Sequence, residues 1–132
     1  SVISKNSDIG TLGNKLTKFD FANNNIVKVI TEKNIIKKKI SRSKKFLRNC
    51  DHSIKNIFGH IGIYQFRTYI LEKFVDLKQS KNEIKYKLEQ LRALENGINI
   101  DVVYSKNKSF GIDTVEDYVE IKKIMEYKIK KL

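Results

Sequence analysis

Proline does not occur in these 132 residues, cysteine occurs once, and histidine occurs twice. The single thiol, Cys50, excludes an internal disulfide and reads as inert. One Cys and two His also exclude the usual four-ligand zinc site. No apolar run approaches the roughly 20 residues of a membrane span. The opening residues lack the charged-then-apolar pattern of a secretion signal. Together these absences predict a cytoplasmic protein with no membrane partner. A Gly-rich or Arg/Lys phosphate loop is also missing near the start, so nothing is shaped to cradle a triphosphate.

What is abundant is positive charge: 27 basic against 15 acidic residues, for a net charge of +12. Taken alone, that suggests a nucleic-acid partner. The composition points elsewhere. Lysine, isoleucine and asparagine dominate while proline is absent, which is the signature of an A/T-rich coding sequence. The charge therefore reads as a solvated lysine surface with no nucleic-acid partner. The basic stretches lack clustered arginine and interleaved aromatics. The scarce arginines become more informative than the lysines, because the guanidinium fork suits carboxylate and phosphate.

The length suits one domain over residues 1–132. The first 25 residues look polar and turn-rich. Ile26 to Ile30 and Ile35 to Ile40 read as the strands of a hairpin, with Ser41 to Asn56 a basic loop. His60 to Phe66 is strand-like, with Ile61, Ile63 and Gln65 on one face and His60, Gly62, Tyr64 and Phe66 on the other. Gly62 within it suggests a close approach to the backbone. Helical spacing runs from Thr68 to Leu77 and from Asn82 to Asn96, the latter with a stripe of Ile84, Leu88, Leu91 and Leu94. Ile98 to Tyr104 suits a strand and Ser105 to Ser109 a turn. Thr114 and Asp117 have capping-box spacing at the start of a last helix. Strands alternating with helices give an α/β fold, a mixed sheet covered by helices.

Three segments carry a resemblance. His60-Ile61-Gly62-Ile63-Tyr64-Gln65-Phe66-Arg67 is similar to the HIGIYxFR strand of the 3-deoxy-manno-octulosonate cytidylyltransferases, the CMP-Kdo synthetases. Leu88 to Gly97 resembles their LEQLRALExG helix, and Gly111 to Asp117 their GVDTPEDL segment. Weaker landmarks lie at Asp8 to Leu12, Ile26 to Ile30 and Ser41 to Ser43, all in the family's order. The resemblance implies the carboxyl-terminal part of a nucleotide-diphospho-sugar-transferase-like, Rossmann-like fold, without the family's amino-terminal CTP-binding half. It implies a transferase of lipopolysaccharide biosynthesis, with CTP and Kdo as substrates, Mg2+ as cofactor and a homodimer as the assembly. A separate amino-terminal half is a further expected partner, and the isolated chain is expected to be inactive. Departures occur where Lys44-Lys45-Phe46 replaces the family's Ile-Pro lead and where Gly59 precedes the histidine.

Site residues follow by resemblance, each beside its simpler reading. Asp113 would ligate magnesium, or it is only a helix cap. Glu89 and Gln90 would hold sugar hydroxyls, or they lie on a solvated helix face. His60 would contact the acid sugar with help from Tyr64, or it is a structural strand histidine. Arg42 would meet the sugar carboxylate, or it is a surface charge, with Arg48 a weaker candidate. Arg92 and Glu95 have the spacing of a simple pair. The alternatives for the whole chain are a non-catalytic remnant, a dimerisation half, or a small basic nucleic-acid module. A sheet cut in mid-chain would expose a strand edge and self-associate.

Overall fold

The computed structural model describes residues 6–107 and 111–131, so the turn expected over Ser105 to Ser109 lies partly outside the described residues. Strand β1 is Ile9–Asn14, a stretch that reads as turn-rich because it holds Gly10 and Gly13. The glycine is there for packing. A Cβ at Gly13 would sit 2.9 Å from Val102 Cγ1 and 3.0 Å from Ile35 Cδ1, so β1 passes through the middle of the molecule where a side chain has no room.

Helix α1 (Lys18–Ala22) leads to β2 (Lys28–Thr31). The partner of β2 is not the Ile35 to Ile40 run. That run is a helical turn, α2 (Ile35–Lys38), because the Asn34 side chain accepts from the Ile36 and Lys37 amides and supplies the N-cap that β-branched residues lack. Lys39, with φ at 66°, ends it. The antiparallel partner is β3 (Ile40–Leu47), within the stretch expected to be a loop. Its inward positions include the buried hydroxyls Ser41 and Ser43 alongside Phe46, so the burial alternates while hydropathy does not.

Strand β4 (Ile57–Phe66) crosses β1 and β2, both antiparallel. A register shift separates the pairs Thr11↔Tyr64 and Leu12↔Ile61. This bulge breaks the expected alternation: Ile61 is buried and Ile63 is 60% exposed. A Cβ at Gly62 would meet nothing within 4 Å, so packing does not require glycine there. The close approach expected at Gly62 occurs at Gly13 instead.

Helices α3 (Thr68–Val75), α4 (Lys81–Tyr86) and α5 (Gln90–Glu95) follow. The single helix expected over Asn82 to Asn96 is broken at Lys87, which is left-handed at φ 53° and ψ 50°. The break re-aims the apolar stripe, leaving Ile84 exposed and Leu88 buried. It also turns Glu83 inward, where Arg92 donates to it through Nε at 2.9 Å and Nη2 at 2.5 Å. Arg92 thus pairs with Glu83 rather than Glu95, which accepts from Asn82.

Strand β5 (Ile100–Tyr104) joins β3 antiparallel and β1 parallel. The order β1-β4-β2-β3-β5 therefore closes on itself. The sheet is mixed, as the α/β reading requires, but it is a ring. Among the described strands none has a free edge, so the exposed strand edge expected from a cut sheet is absent. The core of Ile9, Val29, Phe46, Phe58, Ile100 and Val102 packs with Ile70 and Phe74 of α3 and Leu88 and Ala93 beside the α4–α5 break. Helix α6 (Val115–Lys130) starts with the expected capping box, Thr114 with Asp117, and buries none of its residues.

Candidate functional site

Two cavities meet at β4. The first, about 210 Å³, is lined by Tyr64, Phe66, Phe74, Glu89 and Gln90 among others. The second, about 430 Å³, is lined by His60 together with Asn14, Asp20, Asn23, Asp113 and Asp117. The His60 and Tyr64 rings, four residues apart on either side of the bulge, lie 5.4 Å apart and join the cavities. Five of the six sequence candidates are thus brought to one region, on β4, at the start of α5 and just before α6.

The sixth is not. Arg42, on β3, donates through Nε to Asp101 Oδ1 at 3.3 Å and through Nη2 to the Asn6 carbonyl at 3.5 Å. It lines neither cavity. Arg48 is a structural clamp: its guanidinium donates to the carbonyls of Tyr86, Asn24 and Lys87. It faces a third, larger groove of about 660 Å³ that holds none of the site candidates.

Burial shapes the chemistry of the junction. It pushes the His60 imidazole down from 6.5 to about 4, because charging a ring away from water is costly. The ring is neutral at pH 7. Burial, with the Glu89 carboxylate nearby, pushes the Tyr64 phenol up, so it remains a protonated donor. His60 Nε2 lies 2.9 Å from Thr11 Oγ1, and the ring stands edge-on to Phe46 with centroids 5.1 Å apart.

Glu89 is the residue before α5 and its side chain is 70% exposed, 3.8 Å from Arg92 Nη2. Gln90 is buried, which departs from the solvated-face reading. Its carboxamide and the Tyr64 hydroxyl make no hydrogen bond among the described residues. Polar groups held in an apolar cavity without a protein partner are what a polyhydroxylated ligand would satisfy.

Asp113 is not the cap of α6. Thr114 is, and Asp117 closes the capping box. The Asp113 amide donates to Asp117 Oδ2 at 3.1 Å, which leaves the Asp113 carboxylate free of hydrogen bonds among the described residues. A magnesium ion that keeps waters and substrate phosphates needs only one or two protein carboxylates, and Asp113 fits that part. Among the described residues no group of three His, Cys, Asp or Glu could hold a metal ion, so these residues alone form no complete metal site.

Two residues that were not among the sequence candidates contact the lining of the second cavity from outside it. Lys28, fully buried, donates from Nζ to the Asn23 and Arg48 carbonyls at 2.7 Å and pins the loop on the cavity rim. Thr11 reaches His60 from β1. A lysine within a β-branched run and a threonine between glycines carry no sequence signal for either role.

Comparison with known proteins fixes the family. The cytidylyltransferase family model matches residues 3–109. The chain belongs to the cytidylyltransferase family. The 3-deoxy-manno-octulosonate cytidylyltransferase of Thermodesulfovibrio yellowstonii is 45% identical over 121 residues, 86% of this chain and 47% of that protein. The enzyme of the same name from Chloroherpeton thalassium is 45% identical over 109 residues, 82% of this chain and 44% of its own length. The chain spans about half the length of the curated relatives it matches. A solved structure of CMP:2-keto-3-deoxy-manno-octonic acid synthetase complexed with CTP superposes with a TM-score of 0.78 at 24% identity, covering 93% of this chain and 51% of that one. That likeness shows the fold. Among the described residues no helix is long and apolar enough to cross a membrane.

Proposed function

We propose that this chain is the carboxyl-terminal, sugar-binding portion of a CMP-Kdo synthetase, completing a larger Rossmann-like nucleotidyltransferase. The supporting observation is the His60–Tyr64 junction, which joins an apolar cavity holding the unengaged Gln90 and Tyr64 groups to a polar cavity holding Asp113. In the reaction, the anomeric hydroxyl of Kdo attacks the α-phosphorus of CTP. A C–O–P bond forms, the bond to the β-phosphate breaks, pyrophosphate leaves, and the hydroxyl proton is released. Magnesium, held in part by Asp113, would neutralise the phosphate charge. The chain's own residues bind and orient the sugar: Gln90, Glu89 and the Tyr64 hydroxyl take its hydroxyls, and His60 lies where the cavities meet. Holding the attacking group in line is the main rate contribution available to such residues. Arg42, 37% exposed at its pair with Asp101, exchanges that weak contact for the sugar carboxylate. The rest of the enzyme supplies the CTP phosphate loop, and the product serves lipopolysaccharide biosynthesis in the cytoplasm.

The test is titration of Kdo into the chain, followed by NMR at Tyr64, Gln90 and His60. Saturable shifts at these residues, weakened at least tenfold by Gln90→Ala, support the reading. Shifts confined to the lysine surface, or none, refute it.

A second reading, a dimerisation half, has α6 in its favour. Tyr118 is 53%, Met125 57% and Ile129 65% exposed along it, an apolar face suited to a homodimer partner or to the remaining half of the enzyme.

A further inference from the structure

The bulge in β4 does more than re-aim a strand. It brings the carbonyls of Ile61 and Ile63 to one hydroxyl. Thr11 Oγ1 lies 2.8 Å from the Ile63 oxygen and 3.2 Å from the Ile61 oxygen. The same oxygen is 2.9 Å from His60 Nε2. A hydroxyl has one hydrogen and two lone pairs. Were that hydrogen given to His60, two carbonyl oxygens would face the Thr11 oxygen at contact distance with no proton between, a contact of lone pairs that repels. The hydrogen therefore goes to the bulge carbonyls, and toward His60 the hydroxyl only accepts. The imidazole must carry its proton on Nε2.

We propose that Thr11 is a positioning residue that locks His60 as the Nε2–H tautomer, so that Nδ1 faces the Asp113 cavity as a hydrogen-bond acceptor for a sugar hydroxyl. The surroundings agree. His60 Nδ1 has no hydrogen bond among the described residues, and it is not among the buried side-chain atoms that lack a partner, so it is accessible. The ring is neutral at pH 7. Among the described residues the cavity it lines carries Asp20, Asp113 and Asp117 and no cationic side chain. Without a bound cation a carboxylate or phosphate would be repelled at that spot, whereas a hydroxyl donates to Nδ1 without conflict. The identity of the ligand rests on the function proposed above; the tautomer does not.

The experiment separates the two. Long-range 15N–1H correlation spectra of the ligand-free chain at pH 7 report which His60 nitrogen is protonated. The expected result is protonated Nε2 and bare Nδ1 in the native chain and in Thr11→Ser, which keeps the hydroxyl. In Thr11→Val, which removes it, a protonated Nδ1 population appears. A native chain protonated on Nδ1 overturns the assignment. So does a folded Thr11→Val with an unchanged tautomer. If Thr11→Val fails to fold, the native and Ser spectra still decide the proton's position. Kdo is then added, and separately pyruvate, a carboxylate without hydroxyls. A shift of Nδ1 with Kdo and none with pyruvate supports the acceptor role. An Nε2–H ring that pyruvate shifts as strongly overturns the hydroxyl preference. An Nε2–H ring untouched by both overturns the ligand and the sugar reading behind it, while leaving Thr11's hold on the tautomer in place.

Discussion

Acidification should destabilise this protein through His60, and the size of the effect follows from its burial. In the unfolded chain the imidazole titrates near 6.5; in the native chain burial holds it near 4. Between those values the unfolded state binds more protons, so stability is complete above pH 6.5 and falls as pH drops toward 4. Each pH unit across that window costs at most about 1.4 kcal/mol, for a total on the order of 3 kcal/mol. The other titratable groups near the ring are the phenol of Tyr64 and the carboxylates of Asp20, Asp113 and Asp117. Carboxylates also contribute to acid unfolding, so the informative quantity is a difference. Urea unfolding of the native chain and of His60→Gln, each at pH 7 and pH 4.5, isolates the histidine. The native chain should lose about 2–3 kcal/mol more than the variant over that interval. NMR titration of the His60 ring should give a midpoint near 4. Parallel stability curves for the two proteins, or a midpoint above 6, would refute the burial argument.

Arg92→Ala should cost about 3–5 kcal/mol in chemical unfolding, because it strands the buried Glu83 carboxylate; a loss below 1 kcal/mol would mean that water reaches the site. Gly13→Ala should cost about 1–3 kcal/mol, since the new methyl meets Val102 and Ile35, and an unchanged Tm would place β1 elsewhere. Asp113→Asn should leave the Tm unchanged, because Thr114 is the cap of α6, while lowering magnesium-dependent turnover of a completed enzyme by orders of magnitude. An active Asn variant with unchanged magnesium dependence contradicts the metal assignment.

The parts of the fold legible in the sequence were those with a strong local signal. The Thr68 segment has clean helical spacing, and Thr114 and Asp117 form the capping box that their order suggests. Where the sequence reading failed, a tertiary contact had overridden a local preference. Gly13 reads as a turn because glycine usually is one, but here it makes room for Val102. Ile35 looks like strand, yet the Asn34 cap and a fully buried site make it helical. Ser41 and Ser43 conceal a strand because small hydroxyls, not aliphatics, fill its inner positions. The candidate site was legible through motifs at His60, Tyr64, Glu89, Gln90 and Asp113. Thr11 was not, because its role depends on a bulge in a strand about 50 positions away. Nor could the motif show that Arg42 rests on Asp101, outside both cavities.

The most direct measurement is on a chimera. This chain replaces the matched 47% of the Thermodesulfovibrio yellowstonii enzyme, and pyrophosphate release from CTP and Kdo is followed with magnesium present. The predicted result is Kdo-dependent turnover by the chimera, loss of that turnover on Gln90→Ala or Asp113→Asn, and none by the chain alone. A folded, CTP-binding chimera that releases no pyrophosphate, or turnover indifferent to both substitutions, would contradict the claim that this chain carries the sugar side of a cytidylyltransferase.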